Sequence, residues 1–332
     1  MNNKKIIIVG ATGRVGNEML SILDERNIPY KNIAIAASSK SEGKQINYMN
    51  HTLTVQNVCN VDFSKYDIAL FSAGGEVSKQ YAPIASDNGC IVIDNTSYFR
   101  MHNDIPLIVP EINISSLSRY NSKIISNPNC STIQMVMPLK SLHDEFILEE
   151  VVVSTYQAVA GAGQKGIDEL LEQTPKVLSN KDIEPNHFKK QIAFNVIPQI
   201  DTFSENGYTK EELKMMNETR KILELPDITI SATCVRVPVL IGHACSVTAT
   251  FRSDLNIKKA YEALSNFKGL KVIDDPDNYV FATPIDSAGK DAVLVSRLRI
   301  HPDKKNTISF WCVADNLRKG AALNAIQIAE RL

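Results

Sequence analysis

The sequence predicts an α/β chain: an N-terminal doubly wound parallel sheet, then an α+β domain with a mixed, largely antiparallel sheet. Two patterns carry this. In the first third, short β-branched apolar runs alternate with segments of helical spacing, the signature of strand–helix–strand units. After residue 148 the runs lengthen and alternate apolar with polar, as strands with one solvated face do. The chain has 332 residues, 44% hydrophobic and 22% charged, enough for two cores of ordinary size.

Residues 5–9 form a β-branched run suited to a buried parallel strand. Residues 16–26 follow with Met19, Leu20 and Leu23 on one helical face. Ile33–Ala37, Ile68–Phe71, 91–93 and 123–126 are the next strands, and 76–88 is a crossover helix between two of them. Beyond 148 the pattern changes. Residues 151–156 read as a strand and Gly161-Ala162-Gly163 as a loop. Ile167, Leu170, Leu171, Val177 and Leu178 make a helical stripe, kinked or ended near Pro175. Thr209 with Glu212 predicts a capping box that opens a helix to about residue 223. Residues 229–237, 244–252, 292–300 and 307–313 are strands. In the second of these, Val247, Ala249 and Phe251 alternate with Ser246, Thr248 and Thr250. A last helix, 319–332, carries Ala322, Ala325, Ile326 and Ala329 on one side and is expected to return to the first domain. The domains are placed at 1–128 with 314–332, and at 129–313.

The formal net charge is −1, which leaves no electrostatic footprint for nucleic acid or an anionic membrane. No uncharged apolar run approaches the ~20 residues that span a bilayer. The run after Lys4 and Lys5 is too short for a signal-peptide core. Cys59, Cys90, Cys130, Cys234, Cys245 and Cys312 are scattered, with no C-x-x-C pair and no metal-type Cys/His spacing. They read as thiols of a cytoplasmic protein without a bound metal.

Gly10-Ala11-Thr12-Gly13-Arg14-Val15-Gly16 joins the first strand to the first helix. Glycines at this joint permit a tight turn and close approach of a pyrophosphate to the helix N-terminus, so the first domain is expected to be Rossmann-like and to bind a dinucleotide. A purely structural turn in another α/β domain is the competing reading. NAD sites place an acid at the end of the second strand for the ribose 2′-OH. This chain has Ser38-Ser39-Lys40-Ser41 there, which favours the 2′-phosphate of NADP.

Cys130 follows the Asn127-Pro128-Asn129 turn and opens a periodic run with Ile133, Val136, Met137 and Leu139. Free N–H groups and partial positive charge at a helix start stabilise a thiolate, so Cys130 is a candidate nucleophile; the alternative is an inert buried thiol. Of the six histidines, His243 stands out, at the mouth of a strand after a turn with Pro238 and Gly242. Arg236, seven residues earlier, suits a bidentate carboxylate contact or a plain sheet-surface role. Arg100 closes a polar turn after a strand. Lys214 lies one turn after Glu211, as a ligand group or as a surface i,i+3 ion pair. Gln157 follows a strand and precedes the glycine turn.

Residues 10–16, 94–100, 127–132, 155–163, 211–214, 236–243 and 315–321, in this order, resemble the aspartate-β-semialdehyde dehydrogenase family over essentially the whole chain. The resemblance implies NADPH-dependent reductive dephosphorylation of 4-aspartyl phosphate, on the route to lysine through diaminopimelate, threonine and methionine. It implies a catalytic and dimerisation role for the second domain, and a homodimer or homotetramer. By it, Cys130 is the acyl-accepting nucleophile, His243 the acid/base and Gln157 the orienting group. Arg236, Glu211 and Asn129 would bind the substrate, and Arg100 and Lys214 its phosphate. Gly10, Thr12, Gly13, Arg14, Val15, Gly16, Ser38, Ser39, Lys40, Ser41, Ala160, Gly161 and Asn316 would line the cofactor. Ala160 departs from the serine frequent in the family, which removes a hydroxyl contact there. N-acetyl-γ-glutamyl-phosphate reductases share the chemistry but usually carry Pro-Gly-Cys where this chain has Pro128-Asn129-Cys130. A non-enzymatic NADP-binding sensor is the reading from outside enzymology.

Overall fold

A computed structural model describes residues 1 and 3–332. The chain divides into two compact units, Met1–Asn129 with Ala321–Leu332, and Cys130–Gly320. The C-terminal division falls after Gly320 instead of after 313. The reason lies in the second unit: the strand Lys304–Ala314 belongs to its sheet, and the Asp315 carbonyl accepts the Gly320 N–H at 3.1 Å, tying the following turn to that strand's end.

The first unit is a six-stranded parallel sheet in the order Gln56–Asn57, Ile33–Ala37, Ile6–Val9, Ile68–Phe71, Ile91–Asp94, Ile124–Ser126. The central strand is buried on both faces. Ile6 and Ile8 pack with Met19, Leu20 and Leu23 of the helix Arg14–Glu25 and with Leu323 and Ile326 of the helix Leu323–Ala329. Ile7 and Val9 face a second core with Phe63, Phe71 and Ala82. Two covered faces explain why this strand reads as an unbroken apolar run. A hairpin, Gln45–Tyr48 with His51–Thr54, was not predicted. Most of its residues are exposed, so no face imposes an apolar alternation.

The second unit is a six-stranded mixed sheet in the order Thr229–Arg236, Leu148–Gln157, His243–Phe251, Lys304–Ala314, Val293–His301, Leu270–Val272. The outermost pair at each end is parallel and the three inner pairings are antiparallel. The helix Cys130–Phe146 packs on this sheet and on the helix Lys210–Leu223. Residues 131–139 of this helix are all buried, the apolar Ile133, Met135, Val136, Met137 and Leu139 together with the polar Ser131, Thr132 and Gln134. The helix Gln164–Leu178 contains Pro175 in its last turn and ends three residues beyond it. Proline leaves the carbonyl four residues back, that of Leu171, without an amide partner, and Leu171 is an exposed residue. Among the described residues no helix is long and apolar enough to cross a membrane.

The capping box forms as predicted. Thr209 Oγ1 accepts the Glu212 N–H at 3.3 Å, and Glu212 Oε2 accepts the Thr209 N–H at 2.7 Å. Thr209→Ala is expected to cost about 1 kcal/mol, read as a lower denaturant midpoint. An unchanged midpoint would show that Glu212 alone holds the helix start.

Candidate active site

In the first unit the glycine turn is shaped for a phosphate. Gly10 has φ +97°, and a Cβ there would sit 2.7 Å from the Ser72 carbonyl carbon and 2.8 Å from the Ala73 nitrogen. Only glycine fits both the conformation and the space. The helix Arg14–Glu25 follows Gly13 with no side-chain cap, and a helix start carries partial positive charge that suits an anion. A cavity of about 260 Å³ lies against this turn, lined among others by Gly10, Thr12, Gly13, Ala37 and Ser38. No acidic side chain is among its lining residues; the nearby Glu42 is instead bonded by Asn57 Nδ2 at 3.2 Å. Ser39, Lys40 and Ser41 form a short 3-10 turn directly after Ser38. The glycine turn and the cavity beside it fit a dinucleotide.

The Asn127-Pro128-Asn129 turn also belongs to the first unit and is strongly braced. Arg100 Nε donates to the Asn127 carbonyl at 2.9 Å, and its Nη2 to the Asn95 carbonyl at 3.0 Å. Asn324 Nδ2 donates to Asn127 Oδ1 at 2.7 Å. Asn129 is buried. Arg100, which the family resemblance assigns to the phosphate, fixes within this unit the turn that leads to the cysteine.

The second unit assembles most of the remaining predicted residues at one end of its sheet. Cys130 is the first residue of its helix and is half-buried. Gly320 lies against it: a Cβ on Gly320 would be 3.0 Å from Cys130 Cβ. On the sheet, Arg236 pairs with Gln157, Ala244 pairs with Tyr156, and His243 pairs with Ala314. Arg236, Gln157 and His243 thus sit side by side on three neighbouring strands, all facing inward and all buried. Two residues back on the same face lies a quieter row, Cys234, Thr155, Cys245 and Cys312. Burial pushes the Cys234 thiol well above the ordinary cysteine value, and the bond with Cys245, then burial, raise that of Cys312, so these two stay protonated. The sequence did not separate this inert row from the reactive candidate; strand alternation does.

A chain of polar contacts runs away from Gln157. Thr155 Oγ1 donates to Gln157 Oε1 at 2.9 Å, and Gln157 Nε2 donates to Glu211 Oε1 at 3.1 Å. Lys214 Nζ bridges Glu211 Oε2 at 3.1 Å and Asp201 Oδ2 at 2.9 Å. Burial works against the Lys214 ammonium, but Glu211 and Asp201 hold its pKa above the ordinary lysine value. The i,i+3 pair with Glu211 is therefore present, though inside the site and not on an open surface. Thr155 and Asp201 were not anticipated. Asp201 lies in an irregular segment with no periodicity to place it.

Arg236 is 6% exposed. Its Nη1 donates to the Ala158 carbonyl at 2.6 Å, and its backbone exchanges hydrogen bonds with Ile197 at 2.8 and 2.9 Å. Burial lowers its pKa, and Glu211 opposes that shift. His243 is fully buried. Its Nδ1 accepts the Ala158 N–H at 3.0 Å, and its Nε2 has no hydrogen-bond partner. Burial first, then the Arg236 charge, pull its pKa down to about 3 against the pull of Glu211, so the ring is neutral at pH 7.

Ala160 and Gly161 lie in a 3-10 turn, Val159–Ala162. A Cβ on Gly161 would lie 3.0 Å from Arg236 Nη1 and 3.0 Å from His243 Nε2. The missing side chain is what lets these two polar groups face the same small space. Gly161→Ala is expected to push both aside and lower kcat/KM by roughly tenfold to a hundredfold with the fold retained. Unchanged kinetics would mean that the ring and guanidinium do not need that space. Asn316 accepts the Gly242 N–H on Oδ1 at 3.0 Å.

Comparison with known proteins sharpens this picture. Residues 5–120 match the family described as "Semialdehyde dehydrogenase, NAD binding domain", and residues 139–319 match "Semialdehyde dehydrogenase, dimerisation domain". Aspartate-semialdehyde dehydrogenase 2 of Vibrio cholerae is 50% identical, over 98% of this chain and 97% of its own length. Aspartate-semialdehyde dehydrogenase of Aquifex aeolicus is 47% identical, over 99% and 97%. A crystal structure of Vibrio cholerae aspartate semialdehyde dehydrogenase II complexed with ASA superposes with a TM-score of 0.95 at 48% identity, covering 99% of this chain and 98% of that one. Matched in both of its units and nearly end to end by such relatives, the chain belongs to the aspartate-semialdehyde dehydrogenase family.

Proposed function

We propose that the chain reduces 4-aspartyl phosphate to L-aspartate 4-semialdehyde with NADPH, through a thioester on Cys130. The observation that carries this is the buried, unpartnered His243 Nε2 facing Arg236 Nη1 across Gly161. A neutral donor and a fixed cation around one small space suit a carbonyl compound that bears a carboxylate. Glu211 adds the negative charge that the substrate's amino group needs.

The roles follow from the contacts. The Cys130 thiolate, at the start of its helix, attacks the acyl carbon and displaces phosphate. Arg236 offers a guanidinium to the α-carboxylate. Glu211 is held by Gln157 and Lys214 so that its charge points consistently. Lys214 stays cationic and, with Arg100, is assigned to the phosphate. Gln157 cannot turn over without setting its amide oxygen against the Glu211 carboxylate, which only accepts, so its amide keeps a constant face to the site. NADPH, when bound, supplies the hydride. Gly10 to Gly16 are assigned to its pyrophosphate, Ser38 to Ser41 to its 2′-phosphate, and Ala160, Gly161 and Asn316 to its reactive end. Returning the thiolate releases the aldehyde. The product would feed lysine, threonine and methionine synthesis in the cytoplasm, a setting that suits six thiols with no disulfide.

The second unit is also proposed to pair with another copy, giving a homodimer or homotetramer. The sheet face opposite the site carries the exposed Val152 and Tyr156, with Trp311 packed against Tyr156 at 5.3 Å. Sedimentation of the full chain tests this; a monomer at micromolar concentration would sink it.

The activity is tested by following NADP⁺ reduction at 340 nm with aspartate semialdehyde and phosphate, beside N-acetylglutamate semialdehyde and with NAD⁺ as control. Phosphate-dependent turnover of the first aldehyde with NADP⁺ is expected. Turnover of only the acetylated aldehyde would move the substrate assignment, and NAD⁺ working equally well would remove the 2′-phosphate argument.

A further inference from the structure

The irregular stretch between the helices Gln164–Leu178 and Lys210–Leu223 hangs from two polar side chains that no sequence pattern indicated. Glu169 is 7% exposed, and its carboxylate collects four N–H donors. Oε1 accepts the Asn186 N–H at 3.1 Å and Gln173 Nε2 at 2.7 Å; Oε2 accepts the His187 and Phe188 N–H groups at 2.6 and 3.1 Å. Consecutive amides converging on one anion make the kind of concavity that binds free anions, filled here from within the chain. Gln173, one turn further along the same helix face, accepts the Ile192 and Ala193 N–H groups on Oε1 at 2.9 and 3.2 Å. Beyond them, Ile197 exchanges backbone hydrogen bonds with Arg236. Residues 186–197 are thus tied at one end to the helix and at the other to the strand that carries Arg236.

Phe188 is what this segment delivers. The Arg236 guanidinium lies over its ring, 6.0 Å from the centroid, within reach of a cation–π contact. The ring is half-buried and packs against the cluster that holds Val159, Ile167, Leu170 and Ile192. Gly166 makes the room. A Cβ there would lie 3.2 Å from Phe188 Cζ and 2.7 Å from the Val159 carbonyl oxygen. The helix can approach both the ring and the turn Val159–Ala162 only without a side chain at that point.

A ring face suits this place for a chemical reason. Arg236 is nearly buried, and burial works against its charge. A carboxylate packed on the guanidinium would offset that, and would also take the N–H groups that a substrate carboxylate needs. The quadrupole of a phenyl ring favours a cation over its face without accepting a strong hydrogen bond. It holds the guanidinium and leaves the fork open. We infer that Phe188 is a positioning residue for substrate binding: its ring holds the Arg236 guanidinium ready for the carboxylate, and Glu169 and Gln173 fix the loop that presents the ring. This rests on the assignment of Arg236 to the substrate carboxylate made above.

Kinetics and spectra on the full chain test this. Phe188→Leu keeps apolar bulk and removes the π face. It should raise the KM for aspartate semialdehyde roughly threefold to thirtyfold, with kcat and the KM values for phosphate and NADP⁺ near wild type. Phe188→Tyr, which keeps the face, should restore the wild-type KM. Glu169→Gln sets an amide N–H against the N–H groups of the loop and should raise the same KM. Combined with Phe188→Leu it should add little, because both act through one ring. An unchanged KM in Phe188→Leu, an equal loss in Phe188→Tyr or full additivity of the pair overturns the inference. So does a KM rise shared by all three substrates, which would mean a general loosening of the loop. Selective ¹⁵N-arginine spectra read the guanidinium without turnover. The Arg236 Nε–H, assigned by its loss in Arg236→Lys, should exchange with water faster by a similar factor in Phe188→Leu, and at the wild-type rate in Phe188→Tyr. Equal exchange in all three overturns the inference. If the wild-type chain turned over no aspartate semialdehyde, the proposed function would fail while the spectra still decided whether Phe188 holds Arg236.

Discussion

Replacing Cys130 with alanine is expected to abolish turnover, by about 10⁴-fold or more in kcat, and to leave the fold and NADPH binding in place. The argument has two halves. Chemically, no neighbour can substitute for the sulfur: the other inward-facing thiols, Cys234, Cys245 and Cys312, lie one row deeper on the sheet and are fully buried. Structurally, alanine keeps the Cβ that packs on Gly320, so only the half-buried sulfur is lost. The groups assigned to the cofactor's phosphates lie in the other unit, from Gly10 to Gly16 and Ser38 to Ser41. Turnover, NADPH fluorescence titration and thermal unfolding on one preparation separate the possibilities. Residual activity of a few per cent would remove Cys130 as the nucleophile. A collapsed melting curve with lost activity would make it a structural cysteine.

Much of this site was legible because local rules fix it. The Gly10–Gly16 turn follows a strand and opens a helix, and the chain can do that at close quarters only with glycine at position 10. Cys130 opens a helix because a proline-containing turn precedes an apolar run. Thr209 and Glu212 cap a helix through contacts within three residues. The alternation of Val247, Ala249 and Phe251 fixes which face of that strand is inward, and hence that His243 and Cys245 point the same way as Val247. What could not be read depends on distant partners. Asp201 meets Lys214 only because an irregular stretch folds back on the helix Lys210–Leu223. The Ala158 N–H is invisible to any reading of side chains. The role of Gly161 is an absence of atoms between two groups brought in by other strands. The hairpin within 45–54 has too few buried residues to leave a pattern.

Arg236→Lys should raise the KM for aspartate semialdehyde by roughly tenfold to a hundredfold, about 1.4 to 2.7 kcal/mol of lost binding. Arginine does two things here that lysine cannot do together. Its Nη1 is committed to the Ala158 carbonyl at 2.6 Å, while the rest of its fork remains to meet a carboxylate. A lysine ammonium is a single point: satisfying Ala158 takes it from the substrate, and serving the substrate leaves a buried carbonyl unpaired. Burial also disfavours the charged form at this position, a pressure arginine withstands and lysine yields to more readily. Since the Ala158 N–H holds His243, loosening the Ala158 carbonyl should lower kcat as well, by less than it raises KM. The KM values for NADP⁺ and phosphate should stay near wild type. A rise confined to phosphate would move Arg236 to the phosphate site and leave the carboxylate without its cation. An unchanged KM for the semialdehyde would remove Arg236 from the substrate site altogether, and the buried guanidinium would then be a brace for the Ala158 turn and nothing more.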